Sequence, residues 1–132
     1  MNKTVITFGT FDLCHIGHIN ILKRTKELGN KLIVGVSSDI FTFKKKNRYP
    51  VFNQKDRMTI IKSIRYVDDV FLEESLEKKR EYIIKYKADI LVMGDDWKDK
   101  FNDLSDICEI VYLPRTKNIS TTEIILKSKN II

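Results

Sequence analysis

The chain contains two histidines, and both fall within His15-Ile16-Gly17-His18. Imidazoles three residues apart support several kinds of chemistry. They could ligate a metal, although open zinc sites use three protein ligands and only Asp12 stands near as a third. They could activate the adjacent Cys14 thiol, but neighbouring residues in a tight turn point apart, and apolar packing is the simpler role for Cys14. They could instead hold a phosphoryl group, because the segment follows a strand-like run and opens a helix, where backbone N–H groups converge on an anion. Gly17 suits that reading, since it removes a side chain where the backbone would approach phosphate. Two ordinary surface histidines are the remaining alternative.

Three further stretches carry groups with chemistry in them. Lys44-Lys45-Lys46-Asn47-Arg48 is the one dense basic run. Asp95-Asp96-Trp97 places two carboxylates beside the sole tryptophan, either as a plain turn into a helix or as hydrogen-bond acceptors on the floor of a polyol pocket. Arg115 to Thr122 combines a cation with Thr116, Ser120, Thr121 and Thr122. Ser120 and Thr122 have no histidine left to activate them as nucleophiles, so helix capping and phosphate hydrogen bonding are their expected roles.

These stretches need elements to position them. Thr4–Phe8 is β-branched and short and is closed by Gly9, which predicts a strand. Ile19, Leu22 and Leu28 then adopt helical spacing from Gly17 onward, and Gly29 stands where a C-terminal glycine belongs. Leu32–Val36 is a nearly continuous apolar strand, expected to be covered on both faces. A helix is predicted over 53–65, capped by Asn53, with Met58, Ile61 and Ile64 on one face. The second half repeats the theme: a strand at 70–72, a helix capped by Ser75 and running to Tyr86, a strand at 90–93 ending at Gly94, and a strand at 109–113 stopped by Pro114. Ser120 and Glu123 have capping-box spacing at the start of the last helix, with Ile119 and Ile124 placed to form a hydrophobic staple. The expected fold is a single α/β domain over residues 1–132, a doubly wound five-stranded parallel sheet of the Rossmann type. In such sheets ligands bind outside the carboxyl ends of the strands, where all four stretches fall.

Composition narrows the function classes. With 132 residues, 42% hydrophobic and 32% charged, the chain reads as a globular domain with a core. No apolar run approaches the ~20 residues that span a bilayer, and no secretory signal is evident at the N-terminus, so no membrane insertion and a cytoplasmic location are expected. Two cysteines are too few for a disulfide framework. The net charge of +6 attracts any polyanion, but nothing resembles a zinc finger, an aromatic RNA-stacking set or a long basic helix. No nucleic-acid partner is expected.

Gly9-Thr10-Phe11-Asp12-Leu13-Cys14-His15-Ile16-Gly17-His18 resembles the signature of the nucleotidyltransferase superfamily, which joins a nucleoside monophosphate to a phosphorylated acceptor. Three more blocks, Ile64–Asp68, Met93–Trp97 and Arg115–Thr122, resemble the small bacterial cytidylyltransferases that act on glycerol 3-phosphate in the teichoic-acid pathway. The similarity runs from Thr4 to about Ile125. It implies a Rossmann-like nucleotidyltransferase fold and the transfer of CMP from CTP to glycerol 3-phosphate, giving CDP-glycerol and pyrophosphate. By resemblance, His15 and His18 stabilise the α-phosphorus as it becomes pentacoordinate. Gly9, Thr10, Phe11, Asp12 and Gly17 line the nucleotide, with Asp12 holding the loop or a metal-bound water. Lys45 is the family's phosphate-binding lysine, with Lys46 and Arg48 as further candidates. Arg115 acts in catalysis, and Thr116, Ile119, Ser120, Thr121 and Thr122 grip the triphosphate from the other side. Lys79 reaches the acceptor phosphate, and Asp96 and Trp97 hold its diol. Arg65, and with it Arg57, supports the site near a subunit contact; a surface arginine paired with Asp68 or Asp69 is the plainer reading of Arg65.

The same resemblance implies a homodimer and Mg²⁺ carried mainly by the triphosphate, with no metal site made by the protein. A phosphate monoester oxygen is a sufficient nucleophile at neutral pH, so the enzyme's task is to offset charge and align the reactants. The alternatives are a cytidylyltransferase for ribitol, ethanolamine or choline phosphate, and a nucleotide-binding regulator without turnover.

Overall fold

The computed structural model describes residues 2–117 and 119–131. Five strands form one sheet: β1 (Thr4–Gly9), β2 (Lys31–Ser37), β3 (Asp69–Glu73), β4 (Ile90–Gly94) and β5 (Glu109–Leu113). All are parallel, in the order β3-β2-β1-β4-β5. The helices between them are α1 (Ile16–Lys26), α2 (Asp39–Lys46), α3 (Gln54–Lys62), α4 (Lys79–Lys85) and α5 (Thr121–Ile131), with 3₁₀ turns at Asp95–Trp97 and Asn102–Asp106.

Period-two alternation along each strand builds two core layers. Val5, Leu32, Val34, Val36 and Val92 point to one face and pack with Leu22 of α1 and Ile61 of α3. Ile6, Phe8, Ile33, Leu91 and Met93 point to the other and pack with Ile83 of α4, Phe101 and Leu104. Helices therefore cover both faces, as a doubly wound sheet requires. The chain moves outward from β1 through β2 to β3, then returns to lay β4 on the other side of β1. The crevice between the carboxyl ends of β1 and β4 is the topological switch point.

Three local expectations are corrected. The stretch after β2, where no element is predicted, forms a helix that takes in the three lysines of the basic run: Ser38 Oγ accepts the Phe41 N–H at 3.0 Å, Phe41 and Thr42 are buried, and Asn47 ends the helix in the left-handed region at φ 56°. A short helix whose buried residues are Phe41 and Thr42, followed by three lysines, gives little apolar periodicity. The helix after β3 starts at Lys79 instead of at Ser75, and no side chain caps it. Gly29 has no left-handed φ, so it is not a helix-terminating glycine. A Cβ there would lie 2.6 Å from the Lys3 carbonyl oxygen, and close approach of the chain before β1 is what excludes a side chain.

Candidate active site

The spacing of the two histidines is the spacing of a capping box. His15 is the N-cap of α1, and its Nδ1 accepts the Gly17 N–H at 3.0 Å. The backbone N–H of His15 in turn donates to Nδ1 of His18, the third residue of the helix, at 3.2 Å. Histidine here replaces both the serine or threonine and the glutamate of the usual motif. The rings stack with centroids 3.8 Å apart and 23° between planes, and Phe11 packs edge-on against His18 at 5.4 Å. A neutral imidazole that accepts at Nδ1 carries its proton on Nε2. Burial, then the neighbouring His15, Lys46 and Arg115, pushes His18 down to about 3; burial and Arg115 lower His15 as well. Both rings are therefore neutral at pH 7 and have Nε2–H donors left for a ligand. Gly17 is needed for this arrangement: a Cβ would lie 2.8 Å from the His15 ring. The space expected to admit phosphate is filled by the imidazole.

The loop before α1 is held from three sides. Asp12 is buried, and its carboxylate accepts the N–H groups of Val51 at 2.6 Å, Phe52 at 2.9 Å and Leu13 at 3.1 Å. It thereby pins the segment between α2 and α3 to the histidine loop, with both oxygens used. The Thr121 hydroxyl donates to the Asp12 carbonyl at 2.7 Å, tying the start of α5 to the same loop. Arg57 is wholly buried: Nε donates to the Phe52 carbonyl, NH1 to the carbonyls of Thr10 and Ser37, and NH2 to Asp39 at 2.7 Å. It locks the loop after β1 to the end of β2 from the interior of the chain. Arg65 is exposed beyond the other end of α3, against Tyr66, and does not line the pocket. Asp68 and Asp69 lie near Lys26 and Lys62 instead.

A cavity of about 250 Å³ opens at the switch point. Gly9, Thr10, Phe11, Asp12, His15, Gly17, His18, Lys46, Arg115, Thr116, Ile119, Ser120, Thr121 and Thr122 line it, together with Asp96, Trp97 and Arg48. Lys46 is pulled below its usual range by desolvation and then by Arg48, as expected where cations converge. Arg115 NH1 donates to Asp96 at 2.9 Å, so the carboxylate assigned to a diol is already paired. Lys45 and Lys79 line a smaller adjoining cavity of about 30 Å³ that shares Phe8, Gly9, Met93 and Trp97 with the first. Lys79 is bound to buried Glu73 at 2.7 Å and sits 3.6 Å over the Phe8 ring. The structure thus separates Lys45 from Lys46, placing one on each side of the pocket wall.

Residues that sequence reasoning missed are scaffolding groups. Glu73 and Ser37 had no motif to flag them. Asn20, whose side-chain amide donates to the Thr116 hydroxyl at 3.1 Å, joins α1 to the segment after β5. Ser120 Oγ accepts the Glu123 N–H at 3.1 Å, so its expected capping bond is present. Among the described residues no group of three histidine, cysteine or carboxylate side chains stands together as a metal cage.

The profile of a family described as cytidylyltransferase-like matches residues 6–127. The chain is 50% identical over 122 residues to glycerol-3-phosphate cytidylyltransferase of Bacillus subtilis (strain 168), covering 92% of this chain and 94% of that one. It is 46% identical to glycerol-3-phosphate cytidylyltransferase of Staphylococcus aureus, covering 92% of each. Among solved structures, the lipopolysaccharide core biosynthesis protein of Thermoplasma volcanium superposes with a TM-score of 0.75 at 30% identity, covering 87% of this chain and 98% of that one.

Proposed function

The chain belongs to the cytidylyltransferase-like family, and from that premise we propose that its pocket transfers CMP from CTP to glycerol 3-phosphate. A phosphate oxygen of the acceptor attacks the α-phosphorus of CTP. The bond from that phosphorus to the β-phosphate oxygen breaks, and pyrophosphate leaves with the bonding electrons, so the products are CDP-glycerol and pyrophosphate. No proton has to be removed from the nucleophile, and the site needs no general base.

The observation that carries the reading is the pair of neutral histidines. Their Nδ1 atoms are fixed by backbone N–H groups, leaving two Nε2–H donors at the mouth of a helix N-terminus. Oriented neutral donors stabilise the extra negative charge that appears on the α-phosphate oxygens, at no reorganisation cost. Lys46, Arg48 and Arg115, which line the same cavity, supply the positive charge for the β- and γ-phosphates. Thr116, Ser120 and Thr122 complete the grip. Lys79 and Lys45, in the adjoining corner with Trp97, receive the acceptor phosphate. The faces of Phe8 and Phe101 are already taken by the Lys79 ammonium, at 3.6 and 5.0 Å, which disfavours a quaternary ammonium head group such as choline and favours a glycerol chain.

Mg²⁺ carried on the triphosphate would neutralise charge between the reactants. The carboxylates nearest the pocket are engaged, Asp12 by three N–H groups and Asp96 by Arg115, so the chain's own part is to orient the phosphates around the ion. No described helix is long and apolar enough to cross a membrane. A cytoplasmic homodimer feeding CDP-glycerol to teichoic-acid synthesis completes the reading. Pyrophosphate release, measured over four nucleotides against glycerol, ribitol, ethanolamine and choline phosphates, tests it. CTP with glycerol 3-phosphate should give the highest kcat/KM. Preference for another pair, or nucleotide binding without release, would refute it.

A further inference from the structure

Between the carboxyl ends of β2 and β3 lies a polar cluster that the nucleotide signatures do not include. Ser37 and Glu73 are register partners in the parallel β2–β3 pair, so their side chains leave the sheet on the same side. Glu73 is 1% exposed, and both of its oxygens are used. Oε2 accepts from Lys79 Nζ at 2.7 Å, and Oε1 accepts from the Ser37 hydroxyl at 3.2 Å. Lys45 is an exposed residue, but its ammonium turns inward and donates to Ser37 Oγ at 3.0 Å. Two ammonium groups from two helices thus converge on one carboxylate, one directly and one through a hydroxyl. The small cavity beside Trp97 opens onto this cluster, with Lys45, Glu73 and Lys79 all on its wall.

We infer that Glu73 is a positioning residue for the acceptor phosphate, a single buried carboxylate that holds the ammonium groups of Lys45 and Lys79 in place and protonated around one corner of the pocket. The inference rests on the proposed reaction and deepens its acceptor site. Without a counter-charge, two lysines facing one dry corner lose protons to avoid desolvation and mutual repulsion. Desolvation already draws Lys45 down to about 8, with Glu73 opposing the fall and Lys46, Lys79 and Arg57 adding to it. Desolvation lowers Lys79 too, again opposed by Glu73. Those groups approach from α2, α3, α4 and β3, and Glu73 brings the negative charge to them. A lysine that has lost its proton offers a phosphate dianion no charge, so acceptor binding should follow the protonation that Glu73 maintains.

The test compares wild type with Glu73→Gln and Ser37→Ala. Lysine side-chain titrations are followed by NMR in the unliganded protein, and kcat/KM for glycerol 3-phosphate is measured from pH 6 to 9. In Glu73→Gln, both lysines should titrate at least one unit lower, and the alkaline fall in kcat/KM should move down with them. Acceptor KM should then rise tenfold or more at pH 8 and much less at pH 6.5, while kcat at saturation changes less. Ser37→Ala should lower the Lys45 titration and leave Lys79 in place, which decides the matter if Glu73→Gln does not fold. Unmoved lysine titrations, a loss equal at every pH, or a Ser37→Ala variant that shifts both lysines or neither would overturn the inference. If wild type does not turn over CTP and glycerol 3-phosphate, the reaction is wrong, and the titrations still test the role of Glu73.

Discussion

At the scale of single residues, the histidine pair performs two tasks that substitution can separate. Asparagine at an N-cap accepts the same backbone N–H that His15 Nδ1 accepts, whereas alanine does not. His15→Asn should therefore keep its stability within a few tenths of a kcal/mol, and His15→Ala should lose about 1 kcal/mol. Both should lose roughly 10²–10³ in kcat, because neither supplies the Nε2–H donor. Denaturant midpoints beside steady-state kinetics check the split, and near-normal turnover in both variants would remove the histidines from the mechanism. The same geometry sets an acid limit. His18 titrates at about 3 in the folded chain against an ordinary 6.5, so the unfolded chain binds the extra proton across that window. Stability from this group is complete above pH 6.5 and falls as pH drops toward 3, by an amount on the order of a few kcal/mol. His18→Gln, which retains a capping-box acceptor at the third helical position, should flatten that fall in denaturant melts between pH 7 and 4. The place of this pair, after a strand and at the start of a helix, was legible in the sequence, whereas its assigned chemistry came from the resemblance and not from spacing. Its capping role was hidden, since N-cap expectations look for serine, threonine, aspartate or asparagine.

At the scale of elements, the strands follow from short β-branched runs alternating with helical spacing, and the structure reproduces all five, while their order in the sheet comes from the fold. Helix α2 escaped because one buried phenylalanine and one buried threonine anchor it, too little for a periodic signal. Glu73 escaped, and so did the burial of Arg57, for a related reason: a charged residue in sequence reads as solvated until the fold shows its partners. Arg57 is the more consequential. Its guanidinium serves three carbonyls and Asp39 from a fully buried position, and no smaller cation reaches all four. Arg57→Ala should destabilise the chain by roughly 3–5 kcal/mol, the cost of leaving buried acceptors and a carboxylate without their cation. Arg57→Lys should recover part of the stability and less of the activity, because the loop carrying Thr10 loses its tie to β2. Thermal melts and kcat/KM measured on the same two variants check this. Equal, minor losses would make the clamp unimportant.

At the scale of the whole molecule, the pocket is built by segments from both halves of the sheet. The histidine loop leaves β1, and the segment carrying Arg115 leaves β5. Among the described residues, side-chain bonds already join them: Thr121 to the Asp12 carbonyl, Asn20 to Thr116 and Arg24 to the Pro114 carbonyl. A triphosphate that touches both walls adds further ties that exist only in the folded state, so it should stabilise the fold by mass action. At a CTP concentration about 100 times its Kd, with Mg²⁺ present, linkage gives about 2.7 kcal/mol. For a chain of this size that corresponds to a rise in Tm on the order of 10 °C. Chelator alone should leave the Tm of the unliganded protein unchanged, because no cage of three ligating side chains stands among the described residues, while it should abolish turnover. Differential scanning calorimetry with CTP, with chelator and with both separates the contributions. A Tm that falls with chelator alone would mean that a metal ion holds the fold, and the division between scaffold and triphosphate-borne cation would have to be redrawn.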